Sequence, residues 1–115
     1  MNSKNALFEM ANFRERSTGI SYTIWVSNKT GKEKHGPRIK VQHTTSKTIN
    51  YKFDFITISI SDTPEIKAGK RNINKIKPKE LEKINNWIIL NKEYLLDYWY
   101  NNIDTAELSE KLKKI

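Results

Sequence analysis

Six consecutive residues carry the strongest local chemistry in this chain: His35-Gly36-Pro37-Arg38-Ile39-Lys40. Arg38 and Lys40 stand two apart in a stretch that alternates polar and apolar residues, so on a strand their side chains share a face. A guanidinium and an ammonium about 7 Å apart grip a phosphate backbone or a carboxylate, one as a planar fork and the other as a point charge. Gly36 and Pro37 fix how the chain enters the strand and are expected to hold His35 near that face. A histidine is the side chain whose ordinary pKa suits proton transfer near neutral pH. With Tyr51, the set His35, Arg38 and Lys40 matches the needs of a small metal-independent ribonuclease. Such a catalyst uses general acid–base help and charge stabilisation of the transition state.

Other residues extend the same face. Trp25 lies on the polar parity of the segment Ile20–Val26, so pairing with Arg38–Gln42 sets its indole beside Arg38 or Lys40. An aromatic ring flanked by cations suits base stacking or a cation–π contact. The segment Lys67–Lys79 holds six basic residues, Lys67, Lys70 and Arg71 among them, and could order on a nucleic acid or an acidic protein. The candidate ligand-binding residues are Trp25, Lys34, His35, Arg38, Lys40, Lys67, Lys70 and Arg71. Each has a plainer structural alternative: an exposed strand face, a core tryptophan or a solvated loop.

The charge distribution points the same way. The formal net charge is +8, with a net +5 over residues 29–50, +4 over 61–79 and −2 over 80–115. An excess concentrated in the middle third attracts anions. There is no cysteine, which excludes disulfides and thiolate chemistry and fits a reducing cytosol. The longest apolar run, Trp87 to Leu90, is four residues, so no membrane span is expected. The two histidines, His35 and His43, have no carboxylate cluster near them, so neither a metal nor another cofactor is expected. Lys, Asn and Ile make up 44 of 115 residues, which suggests an AT-rich bacterial, phage or plasmid gene.

The elements that must position these residues read as follows. Ile20, Tyr22, Ile24 and Val26 alternate with polar partners, the period of a half-buried strand. Arg38–Gln42 is a second strand. Tyr51–Ser61 is a third, but its apolar residues change parity after Phe55, which calls for a bulge or for burial of both faces. Residues 62–77 read as a long lysine-rich loop. Helices are expected from Pro78, from Asn91 as a cap, and from Asp104, the last running Thr105 to Lys114. The sum is one α+β domain over residues 1–115: a three-stranded antiparallel sheet followed by three helices on one face, with residues 1–18 as an arm or short helix. Trp87, Tyr94, Tyr98 and Trp99 suit core packing or, as the alternative, a homodimer contact.

The run Trp87-x3-Asn91-x3-Leu95-Leu96-x2-Trp99, ending in Leu112-Lys113-Lys114-Ile115, resembles the C-terminal part of a family of small bacterial proteins of unknown function. That family also has a His- and Pro-rich lead-in to a strand, matched here by His35 to Val41, with Arg38 and Lys40 where it has histidines. The resemblance covers roughly Ile20 to Ile115. It implies a compact αβ domain for which toxin–antitoxin or phage-accessory roles are suspected. The replaced histidines favour anion binding over metal or acid–base chemistry.

These readings converge on a cytoplasmic binding module that holds nucleic acid or another anionic partner through residues 29–79. The alternatives are the toxin-type ribonuclease and a phage-encoded inhibitor that occludes a protein or nucleic-acid surface of a host defence system.

Overall fold

The computed structural model describes residues 10–31, 34–43 and 54–115. Expectations for residues 1–9 and for Tyr51 to Phe53 lie outside these. The alternation at Arg38–Gln42 does form a strand, the third of five. The antiparallel meander runs β1 (Ala11–Phe13), β2 (Thr23–Val26), β3 (Arg38–Gln42), β4 (Phe55–Ser59) and β5 (Ile66–Ala68), in that order across the sheet. The register lines up β-branched residues in two rows. Val41 lies between Ile24 and Ile56; Ile39 lies between Val26 and Ile58. All six are buried, each at 1% exposure or less. Burying one such side chain contributes about 1.5–3 kcal/mol, so these rows form the adhesive face of the sheet.

One long helix answers that face. A single turn, α1 (Glu15–Thr18), follows β1, and a 3₁₀ helix (Lys70–Lys75) follows β5. Then come α2 (Pro78–Trp99) and α3 (Thr105–Lys111). Pro78 takes the first turn of α2, where a missing N–H costs nothing. Ile84, Trp87, Ile88 and Leu95 recur at helical spacing and pack onto the two rows.

Several expectations are corrected. The sheet has five strands because Ala11–Phe13 and Ile66–Ala68 each add an edge, so the loop read over 62–77 holds a strand and a 3₁₀ helix. The first long strand begins at Thr23, three residues later than its alternation suggested. The parity conflict in the third is resolved by burial on both sides: Phe55 through Ile58 are all buried, and the register irregularity lies at Thr57/Ile58, facing β5. No helix starts at Asn91, because α2 runs unbroken for 22 residues. Of the two readings offered for the helix aromatics, core packing holds for Trp87, Tyr98 and Trp99, each at most 2% exposed, while Tyr94 is partly buried against the same core. The last helix does begin with the Asp104–Glu107 capping box, but it stops at Lys111, and Leu112 is already extended.

Asn91 has a different task from capping. It is fully buried. Its Nδ2 donates to the Lys113 carbonyl at 3.0 Å, and its Oδ1 accepts from the Lys113 N–H at 2.7 Å. The segment after α3 is thereby held against α2, and the Ile115 N–H goes on to donate to the Thr18 carbonyl at 2.9 Å. Gly19 makes that approach feasible: it sits at φ +82°, and a Cβ there would collide with the Ile115 carbonyl. At the other end of α2, the buried Glu80 carboxylate accepts from the Ser21 N–H at 3.0 Å and from the Ser21 hydroxyl. The hydroxyl bond, more than the backbone bond or Lys83, holds the Glu80 carboxyl below the usual carboxylate range, against the opposing effect of burial.

Two stability outcomes follow. Asn91→Ala leaves both polar groups of the Lys113 backbone without a partner, so it should lower unfolding free energy by about 2–4 kcal/mol in urea titrations; a loss under about 0.5 kcal/mol would show the clamp to be idle. Glu80 binds its proton more weakly when folded than when unfolded. Its contribution is therefore full above the unfolded pKa of about 4.3 and is lost as pH falls through the lowered folded value. Glu80→Gln should flatten the decline in urea midpoint between pH 7 and pH 3, and an equal decline in both proteins would count against this role.

Candidate functional site

A strand period of two sends the remaining side chains of β2, β3 and β4 to the face away from α2. The register places Asn12, Trp25, Lys40, Thr57 and Ala68 in one line across all five strands. Gln42 and Phe55 pair on one side of that line, and Arg38 and Ser59 pair on the other. Trp25, Arg38 and Lys40 therefore share a face, and Trp25 is the direct cross-strand partner of Lys40.

The aromatic residues are held in place. The Trp25 indole N–H donates to Gln42 Oε1 at 2.8 Å. Its ring meets Phe55 edge-on, with centroids 6.4 Å apart and planes at 76°. The Lys40 ammonium lies 5.9 Å from the centre of the Phe55 ring, within the range of a cation–π contact.

The segment after β4 raises a wall beside them. Gly69, at φ +78°, lies so close to the Phe55 carbonyl that a Cβ would collide with it. Asn72, buried in the 3₁₀ helix, donates from Nδ2 to the same carbonyl at 3.2 Å, and its N–H bonds the Gly69 carbonyl at 2.8 Å. These contacts fasten the 3₁₀ helix to β4 and set Lys70 and Arg71 above the sheet. The result is an open pocket of about 500 Å³ lined by Lys40, Phe55, Thr57, Ala68, Gly69, Lys70 and Arg71. Three cations line it and no carboxylate does.

Burial of the Lys40 amine lowers its pKa below the ordinary lysine value, and the neighbouring Arg38 charge lowers it further. The first cause marks an amine withdrawn from water, and the second a like charge beside it. Arg38 adds a buried Nε donor with no hydrogen-bond partner among the described residues. A phosphate or carboxylate entering here would meet a desolvated ammonium, where a charge-assisted hydrogen bond is strong.

Of the residues expected from sequence, the fold gathers Trp25, Arg38, Lys40, Lys70 and Arg71. It separates the others. His35 tilts against Trp99 of α2 with ring centroids 5.8 Å apart, and its Nδ1 lies 2.9 Å from the Gly36 carbonyl. It thus belongs to the helix side and not to the face of Arg38 and Lys40. Lys34, its neighbour, is exposed. Lys67 pairs with Glu65 at 3.1 Å on the edge strand. Tyr51 lies outside the described residues. Phe55, Thr57, Gly69 and Asn72 had no place in the expected site. The signal for the first two was the parity conflict around Phe55, which marks a strand buried on both faces. No His, Cys, Asp or Glu side chains gather in threes among the described residues, and no described helix is long and apolar enough to cross a membrane.

The depressed Lys40 amine gives the site a direct spectroscopic handle. In a pH titration followed by NMR at the lysine side chains, Lys40 should show the lowest inflection of the lysines around the pocket. Arg38→Gln should raise that inflection partway, and an unchanged inflection would remove Arg38 as a contributor. Comparison with known proteins offers no shortcut to what this face binds: no family profile, no curated protein and no solved structure matches the chain.

Proposed function

We propose that the protein is a binding module for nucleic acid, acting through the sheet face opposite α2. The observation that carries this reading is the half-buried Lys40 beside Trp25 and Phe55, under a rim formed by Lys70 and Arg71, in a pocket lined by no carboxylate. Nucleic acid offers together what these groups accept: phosphate charge for the cations and planar bases for the Trp25 indole. The ribonuclease reading lacks comparable support, because His35 rests against Trp99 and away from Arg38 and Lys40.

Salt dependence tests the proposal. Each phosphate contact adds to the slope of log K against log salt, about 0.9 for a duplex and about 0.7 for a single strand. Lys70→Ala and Arg71→Ala should each weaken oligonucleotide binding and flatten the slope by about that amount. Folded stability should change by less than about 0.5 kcal/mol, since both residues are exposed. Binding that is absent at about 50 mM salt, or a slope untouched by both substitutions, would defeat the reading and favour an acidic protein partner.

A further inference from the structure

The cations of this face are recessed, and recessed cations discriminate among nucleic acids. Lys40 sits low beside Phe55, with Ala68, Gly69, Lys70 and Arg71 standing over it. A duplex carries its phosphates on the outside of a stiff convex rod and keeps its bases stacked within. It cannot lower a phosphate into a pocket of about 500 Å³, and it would leave the Trp25 ring without a base to stack on. A single strand bends sharply and turns its bases outward, so it satisfies the pocket and the Trp25 ring together.

The dimensions agree. From Trp25 through Lys40 and Thr57 to Ala68 the line crosses three strand spacings, about 14 Å. Phe55 is 6% exposed and braces the indole edge-on, so the face offers one ring, Trp25, for a base to stack on. The Trp25 N–H is already engaged by Gln42, so the indole offers its π-face and no further donor. Contact of that kind tolerates any base.

We infer that this face binds single-stranded nucleic acid, with a base stacked on Trp25 and a neighbouring phosphate between Lys40 and the Lys70–Arg71 rim. The inference rests on the nucleic-acid reading above and adds strand state, a stacking residue and low sequence preference.

Intrinsic fluorescence reports on it directly. Trp87 and Trp99 are at most 2% exposed, which leaves the partly exposed Trp25 as the tryptophan that a ligand reaches. A labelled oligothymidylate and a blunt duplex of equal length would be titrated into the full chain at low salt, following both anisotropy and tryptophan emission. The single strand should bind at least about tenfold more tightly and quench the emission. Trp25→Ala should weaken single-strand binding roughly 5- to 150-fold while leaving duplex binding nearly unchanged. Trp25→Phe, which keeps a ring, should weaken it less and abolish the quenching, with thermal melts confirming that both variants fold. Equal or tighter duplex binding, unquenched emission at saturation, or a Trp25→Ala affinity equal to that of the parent would each overturn the single-strand inference and leave the nucleic-acid reading standing. Failure of both probes to bind would remove that reading itself.

Discussion

The sheet face that carries Trp25, Arg38 and Lys40 depends on what happens on the other side of the sheet. The two β-branched rows of β2, β3 and β4 meet the Ile84–Trp87–Ile88–Leu95 stripe of α2, and this contact fixes the pleat. With the pleat fixed, parity leaves Trp25, Arg38, Lys40, Phe55 and Thr57 no choice of face. A slip of one residue in β3 would send Arg38 and Lys40 into the core and Ile39 and Val41 out of it, a change no sheet with one apolar face tolerates. The positions of the cations are therefore set by hydrophobic packing against a helix they never touch.

The second constraint is the height of the wall. Gly69 brings its backbone against the Phe55 carbonyl, and Asn72 binds that same carbonyl. One backbone oxygen thus serves two anchors. It also ties the far end of the pocket to β4, the strand that carries Phe55 and Thr57. Floor and rim consequently share one rigid attachment, the arrangement expected where a charged group must be held at a set depth.

Sequence reasoning reached the centre of this structure more easily than its margins. Arg38–Gln42 was legible because five residues alternate without exception, and the α3 capping box because its chemistry is local. Ala11–Phe13 and Ile66–Ala68 were not, since three residues are too few to show a period. Asn91 misled for a physical reason: asparagine favours caps because its side chain bonds nearby backbone, and here, besides the Trp87 carbonyl one turn back, it bonds backbone 22 positions away. His35 had a constraining neighbourhood in sequence, but its ring is claimed by Trp99, 64 positions on, which no local pattern announces. The site was half legible. Arg38, Lys40 and Trp25 followed from parity, and Lys70 and Arg71 from a basic run, whereas Phe55 and the anchoring of the wall required knowing which strands are neighbours.

The Asn91 clamp imposes an unusual rule on how this chain can vary. A primary amide presents the same donor and acceptor pair as a peptide group, so Asn91 reads Lys113 through its main chain alone while the lysine side chain stays in solvent. Docking of the segment after α3 is thus indifferent to which side chain residue 113 bears, proline excepted, because proline has no N–H to offer. The fixed letter is the asparagine, and the letters it recognises are free to drift. Lys113 and Lys114 can then be exchanged for charge or solubility without disturbing the fold, whereas position 91 admits almost no substitute: aspartate loses the donor, and glutamine carries an extra methylene in a fully buried site.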